Sequence, residues 1–295
     1  MEKEQFFKHK FVPVTTIVLA ILLLWYVFAI ILNAPFQRDL DRRANVTSTT
    51  MEFIGKTLAQ PKPTLPAPHQ VAQNVFENTF LRAPINNRSL VYNAWVTLSS
   101  TAVGFAFGTV LGILIAVGIV HVVALDRSLM PWIIASQTVP ILAIAPMVIV
   151  VLAAVDITGL IPKALISTYL SFFPVAVGMV KGLRSPEVMH LDLMRTYNAS
   201  AWQTFWKLRV PASIPFLFTS MKVAIAASLV GAIVGELPTG AVAGIGAKLL
   251  AGSYYSQTID MWAALVAGSV LAAILVAIVS IVARIVDRAM GGRTA

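Results

Sequence analysis

The sequence predicts an all-α integral membrane protein of six transmembrane helices with both termini on the cytoplasmic side. Of its 295 residues, 58% are hydrophobic and only 12% are charged, whereas soluble domains carry about 25% charged residues. The mean hydropathy is +0.81. Six apolar stretches are long enough to cross a hydrocarbon core, which takes about 20 residues. They lie near 12–33, 92–120, 131–154, 160–180, 213–235 and 262–286.

The first stretch follows Lys3, Lys8 and Lys10, as the apolar part of a signal peptide follows basic residues. Its apolar run is too long for a signal peptide and no small-residue cleavage site follows, so we expect an uncleaved anchor. Placing both termini inside leaves the short outer loops only Lys163 and Lys248, which agrees with the enrichment of Lys and Arg in cytoplasmic loops. The other basic residues that this topology places in the cytoplasm are Arg127, Lys181, Arg184, Arg195, Lys207, Arg209, Arg284, Arg288 and Arg293.

We divide the chain into an N-terminal anchor, 1–34, an outer segment, 35–89, a membrane core, 90–288, and a cytoplasmic tail, 289–295. The outer segment is the least membrane-like part. Its run PKPTLPAP should be extended, and the following HQVAQNVFENTFL places Val71, Val75 and Phe76 on one face at helical spacing. A short amphipathic helix and an ordinary connector both remain open for these residues.

Glycines and prolines in the core predict close packing and interrupted helices. Gly104, Gly108 and Gly112 recur every four residues and so share one helix face, where small residues let a second helix approach closely. Pro140, Pro146 and Pro174 fall within predicted spans. Because proline lacks the backbone donor and clashes with the preceding turn, each should bend or break its helix.

The sequence argues against catalysis, metal binding and nucleic-acid binding. It has no G-x-x-x-x-G-K-[ST] loop for phosphates, no cysteine, and four scattered histidines without metal-ligand spacing. The net charge of +9 comes from basic residues that alternate with apolar spans, which is unlike the patch or stripe of a nucleic-acid binder. We therefore expect neither an enzyme nor a cofactor in this chain.

Polar residues inside the spans are candidates for a translocation path. We expect Lys222 to extend to the inner headgroups. For Glu236, at the outer end of the fifth span, a substrate entrance and the capping of a neighbouring helix both remain open. Ser and Thr can instead bond to their own helix backbone. The candidate path residues are Gln137, Thr138, Ser167, Tyr169, Ser171, Phe172 and Glu236.

The polar stretch DLMRTYNASAWQTFWKLRVP, residues 192–211, interrupts this apolar pattern. Residues 186–197 predict a short helix, which Asn198 ends because Asn tolerates a left-handed backbone. Ser200 with Gln203 forms a capping-box pattern that opens a second short helix. Its Trp202, Phe205, Trp206 and Arg209 should share one exposed face, and Pro211 and Pro215 should mark the bend into the fifth span. A helix–turn–helix presented to a protein partner and an interfacial helix among headgroups both fit this pattern.

This stretch resembles the cytoplasmic signature loop of permease subunits in bacterial ATP-binding-cassette importers. That loop reads E-A-A, three residues, G, nine residues, then I-x-L-P. Here Asp192-Leu193-Met194 stands at E-A-A, Asn198 replaces the glycine, and Leu208-Arg209-Val210-Pro211 follows after nine residues. The resemblance extends over roughly 90–288. The nitrate, sulfonate, taurine and thiamine-precursor branch is most similar, and ELPTGAVAGIGAKLLAGSYYSQT at 236–258 is most like its pyrimidine-related members.

The resemblance implies an inner-membrane permease whose segment 181–211 is a coupling loop that docks on an ATPase. ATP and Mg²⁺ would bind that partner, a periplasmic binding protein would deliver a small organic solute, and a second permease chain would complete the path. A secondary carrier and a membrane scaffold are the alternatives. Replacing Trp202 and Phe205 by Ala should then uncouple or lose the ATPase without impairing membrane insertion. The implied coupling residues are Asp192, Arg195, Asn198, Ala199, Ser200, Trp202, Phe205 and Arg209.

Overall fold

The computed structural model describes residues 2–238, 241 and 243–290, with side chains from residue 12 onward. The predicted tail beyond 290, the side chains of the N-terminal lysines, and residues 239, 240 and 242 of the stretch 236–258 lie outside the described residues. All regular structure in the described part is helical. The helices are α1 Glu2–Arg43, α2 Thr50–Leu58, α3 Pro68–Phe76, α4 Leu90–His121, α5 Val123–Ser136, α6 Ile141–Ala153, α7 Leu160–Leu183, α8 Val188–Thr196, α9 Ala201–Thr204, α10 Val210–Glu236, α11 Ile245–Tyr254 and α12 Thr258–Ala289, with π-helical turns at Glu77–Leu81 and Phe205–Arg209.

The described helices provide five or six candidate membrane spans. Five are long and apolar enough to cross a bilayer, and a sixth exists if the bent pair α5 and α6 counts as one span. This range includes the predicted number and confirms the all-α membrane fold. The five are Val12–Arg43, Leu90–His121, Leu160–Leu183, Ala201–Glu236 and Thr258–Ala289.

The third span, predicted over 131–154 with a bend or break at Pro140, is broken at that proline. It consists of two helices that meet at 98°, and the residues 123–130 that were predicted as loop already belong to α5. Pro140 lies directly before α6. Its ring disfavours helical backbone at the preceding residue and it cannot donate to a preceding turn, so the helix breaks there. Pro146 and Pro174, by contrast, remain inside continuous helices.

The fifth span also differs, because Pro211 and Pro215 do not separate it from a short helix. Helical structure continues from Ala201 to Glu236. The turn before Pro211 is π-helical, and the Val210 N–H donates to the Phe205 carbonyl five residues earlier. A wider turn accommodates a proline that would otherwise clash with the carbonyl of the preceding turn.

Two compact units make up the chain, and residues 91–247 with 267–295 form the larger one. In it, α7 is the helix against which α4 and α10 pack. The predicted close approach is confirmed: a Cβ at Gly104 would lie 2.7 Å from the Ala164 carbonyl oxygen, and one at Gly112 would lie 2.8 Å from the Phe172 carbonyl oxygen. On the α10 side, a Cβ at Gly231 would lie 2.8 Å from Ser167 Cα.

The smaller unit comprises residues 1–90 and 248–266. Its Pro-rich run is fixed to α1 by the buried side chain of Asn33. The Asn33 Oδ1 accepts from the backbone N–H groups of Thr64 at 2.7 Å and Leu65 at 3.1 Å, and its Nδ2 donates to the Leu65 carbonyl at 2.8 Å. Of the two possibilities left open for the following residues, the helix is present as α3. Val71 is buried and Phe76 is exposed, so these two residues do not share one buried face as expected.

Gly231→Ala is expected to destabilise the larger unit, because its methyl group would overlap the α7 backbone. Overpacking of this kind costs about 1–3 kcal/mol, which a lower thermal unfolding temperature in detergent would reveal. Gly55→Ala is the matched control, since a Cβ there meets nothing within 4 Å. An equal loss of thermal stability in the two variants would contradict the packing argument.

Candidate functional site

The hairpin, here residues 188–209, begins with α8 and reverses direction at Asn198. Asn198 has φ of 52°, the left-handed conformation predicted for it. Its N–H donates to the Arg195 carbonyl, and the Ala199 N–H donates to the Met194 carbonyl at 2.9 Å. A glycine would adopt this backbone most easily, and Asn is the side chain that best replaces it.

The second arm begins with the predicted capping box. The Gln203 N–H donates to Ser200 Oγ at 3.2 Å, and the Ser200 N–H donates to Gln203 Oε1 at 2.9 Å. Two backbone donors that the helix itself leaves unpaired are thereby satisfied. The turn between the arms is therefore held by local hydrogen bonds.

The prediction of one exposed aromatic face was wrong for Phe205. Trp202 is 70% exposed and Trp206 is 51% exposed, but Phe205 is only 6% exposed. The Phe205 ring packs edge-on against His121 at 4.8 Å between centroids and joins an apolar cluster that includes Leu183. The π-helical turn changes the angular spacing, so residues three apart no longer share the face that a regular α-helix would give them.

The first arm adds apolar side chains to this exposed surface. Met189 and Leu193 of α8 are 70% and 52% exposed, and Tyr197, directly after α8, is 78% exposed. Asp192 and Arg195 form an exposed ion pair at 3.0 Å. Ala199 and Arg209 are half-buried, and Ser200 is exposed. The hairpin thus presents large apolar and aromatic groups next to charges, which is the composition of a protein interface.

Ser167 and Ser171, two candidate path residues, lie between helices of this same chain. Both are fully buried. Ser167 Oγ donates to the Ser228 carbonyl at 2.9 Å, and Ser171 Oγ donates to the Gly104 carbonyl at 3.2 Å. Such contacts join helices in a membrane, so the geometry favours packing over contact with a solute.

Four other path candidates lie at or near the break between α5 and α6. Gln137 and Thr138 are within the break, and the Thr138 hydroxyl bonds to the carbonyl of Ala135 in its own chain segment. The Tyr169 hydroxyl donates to the Ser136 carbonyl at the end of α5. Tyr169 and Phe172 also line an apolar cleft of about 250 Å³. Its lining is Leu111, Ile141, Ile144, Val148, Leu165, Ile166, Thr168, Tyr169 and Phe172.

Glu236 is fully buried, and its carboxylate caps a neighbouring helix, one of the two roles that remained open for it. The carboxylate accepts from the Gly246 N–H at 2.8 Å and from the Thr97 hydroxyl at 2.9 Å. Thr97 Oγ1 in turn accepts from the Ile245 N–H at 2.9 Å, and Asn93 Oδ1 accepts from the Gly244 N–H at 2.7 Å. Three successive N–H groups at the start of α11 are thus paired with side chains from α4 and α10.

Sequence reasoning missed Asn93 and Thr97. Their spacing of four places them on one face of α4, but an amide and a hydroxyl near the start of an apolar helix look like ordinary boundary residues. Only the folded chain brings them to Glu236, which lies 139 positions from Thr97. The ion pair between Asp126 and Arg184, at 2.9 Å, was missed for the same reason.

Comparison with known proteins identifies the family. Residues 108–292 match the family described as binding-protein-dependent transport system inner membrane component. The chain belongs to this family. It is therefore a transport component of the bacterial inner membrane rather than an enzyme, and membership implies partners of two general kinds, an ATPase and a binding protein.

Individual relatives carry different solutes. The formylaminopyrimidine transport permease of Halalkalibacterium halodurans is 28% identical over 63% of this chain and 69% of its own length. The riboflavin transport system permease of Chloroflexus aurantiacus is 28% identical over 63% of this chain and 65% of its own length. The nitrate import permease of Leptolyngbya laminosa is 29% identical over 61% of this chain and 63% of its own length. The predicted permease family and branch are thereby confirmed.

Glu236→Ala is expected to destabilise the protein, because it leaves the Gly246 N–H and the Thr97 hydroxyl without their buried acceptor. An unsatisfied buried polar group costs about 1–3 kcal/mol. Glu236→Gln keeps a carbonyl oxygen as acceptor, so this variant should lose less stability than Glu236→Ala. Thermal unfolding in detergent measures both, and an Ala variant as stable as the unaltered chain would contradict the capping role.

Asn198→Val is expected to loosen the hairpin, whereas Asn198→Gly should preserve it. A β-branched side chain at positive φ costs about 1–2 kcal/mol in strain that glycine avoids. The rate of tryptic cleavage after the exposed Arg195 reports this loosening. Equal cleavage rates in the two variants would show that the left-handed turn does not control the order of the hairpin.

Proposed function

We propose that this chain is the permease subunit of an ATP-driven importer and that its hairpin docks on a cytoplasmic ATPase. The observation that carries the proposal is the exposed apolar and aromatic surface of the hairpin, formed by Met189, Leu193, Tyr197, Trp202 and Trp206. Local hydrogen bonds at Asn198 and Ser200 hold the turn between the two arms and so keep this surface rigid. Large aromatics commonly supply most of the binding energy of an interface, and a rigid hairpin passes on a displacement that a loose loop would absorb.

In this proposal both termini and the hairpin are cytoplasmic, and ATP with Mg²⁺ binds the ATPase and not this chain. A periplasmic binding protein delivers the solute to the opposite side. Two permease chains, identical or related, face each other to enclose the path.

We place the path along the break between α5 and α6, with Gln137, Thr138, Tyr169 and Phe172 towards the solute. The adjoining cleft is lined by apolar and aromatic side chains and contains no charged residue. Such a lining suits a flat organic ring better than a small inorganic anion, which would need donors to replace its hydration. Two of the relatives are named for formylaminopyrimidine and riboflavin, so we propose a nitrogen heterocycle as the solute.

Trp202→Ala is expected to weaken association with the ATPase. Truncating an aromatic at the centre of an interface costs about 2 kcal/mol or more, a loss of affinity of about thirtyfold. Co-purification of the ATPase from mild detergent measures the change. Unaltered recovery of the ATPase would contradict the docking role of the hairpin.

Tyr255→Ala is the matched control, since Tyr255 is an equally exposed aromatic, at 69%, on the opposite side of the membrane in this topology. Phe205 is unsuitable because it is part of the apolar cluster, so its loss would alter stability as well. The same experiment tests the alternatives. A secondary carrier would import solute without an ATPase, and a scaffold would import none.

A further inference from the structure

Two contacts join the α4–α5 corner, residues 121–126, to the chain on either side of the hairpin turn: one to the end of α7, just before the hairpin, and one to the second arm. On one side, Asp126 Oδ2 lies 2.9 Å from Arg184 Nη2, and Arg184 is the residue that ends α7 just before the hairpin. On the other side, the His121 ring packs against Phe205 in the second arm. The corner is therefore held by the chain on both sides of the turn at Asn198.

From this corner α5 runs to the helix break. Its 14 residues span about 21 Å at the usual rise per residue. Pro131 lies within it, but the helix continues on both sides of this residue. At its far end, the Ser136 carbonyl accepts from the Tyr169 hydroxyl, and Tyr169 lines the apolar cleft. At its first turn α5 is thus joined to the residue that precedes the hairpin, and at its last turn it is joined to the candidate path.

The Asp126–Arg184 ion pair joins the first turn of α5 to the residue that ends α7. The side chains are 34% and 45% exposed, so water screens the pair and it adds little to stability. Asp126 also lies in the first turn of α5, where a negative charge is favoured by the helix dipole. The pair is better suited to fix the relative position of α5 and α7 than to hold the fold together.

We propose that the Asp126–Arg184 pair transmits displacement of the hairpin to α5 and so to the break at residues 137–140. This inference rests on the proposed function, in which the hairpin moves with an ATPase. When the ATPase carries the hairpin, Arg184 moves with it and draws the first turn of α5 through Asp126. The His121–Phe205 contact keeps the corner in place on the second arm. Both residues act through position and neither touches the solute.

The test is charge reversal in the assembled transporter, reconstituted with its ATPase and binding protein in liposomes. Asp126→Arg and Arg184→Asp should each lower the ratio of solute transported to ATP hydrolysed by about tenfold, the size of effect that contacting partners commonly show on each other. The double variant, which restores opposite charges, should recover most of the ratio. Arg184→Lys should retain part of it.

Two further measurements separate transmission from other roles. ATPase co-purification should be unchanged in the single variants, because the pair lies outside the docking surface. The thermal unfolding temperature should fall only slightly, because the pair is partly exposed. Reversal of Asp41–Lys56, an ion pair of 3.8 Å between α1 and α2, is the matched control and should leave the ratio unaltered.

Each other outcome overturns the inference. Single variants that keep the full ratio show that the pair transmits nothing. A double variant that fails to recover shows that the two residues act through other partners. Loss of ATPase binding in the single variants assigns the pair to docking. If the unaltered chain itself binds no ATPase, the proposed function fails and this inference fails with it, a result distinct from an uncoupled but assembled transporter.

Discussion

Close approach of backbones around α7 is the constraint on which the rest of the structure depends. Lipid offers helices no hydrophobic gain on association, so they must gain by tight packing and by hydrogen bonds between them. Gly104 and Gly112 of α4 and Gly231 of α10 leave no room for a side chain against α7. The buried serines add hydrogen bonds at the same contacts. This packing positions both ends of α7, one next to the hairpin and the other near the cap of α11.

Polar side chains order the chain at both ends of α10. Glu236 and its partners join the C-terminal end of α10 to the start of α11 and to α4, so this end of α10 is anchored. At the other end, local bonds at Asn198 and Ser200 order the hairpin. In the proposed function, this order at both ends lets a displacement of the hairpin move whole helices instead of deforming a loop. A transporter driven by a separate ATPase requires this property.

Local patterns were sufficient to predict much of the candidate site. The left-handed turn at Asn198 and the capping box of Ser200 follow from nearest neighbours in the chain, and both are present. The exposed position of Phe205 was predicted wrongly, because a π-helical turn before Pro211 changes the helical spacing. The predicted bend or break at Pro140 is confirmed, because a proline breaks a helix through its own ring and its missing N–H, which are local properties.

The sequence by itself determined the membrane location, the number of apolar segments and the family, because these depend on composition and on short motifs. Only the tertiary structure decided which polar residues meet. Thr97 and Glu236 are far apart in the chain, as are Asp126 and Arg184, and nothing local specifies their partners. The same holds for Ser167 and Ser171, whose hydroxyls could equally face a path or a helix until the packing of α4 and α10 on α7 encloses them. Contacts of this kind arise from the packing of whole helices, which a one-dimensional pattern does not contain.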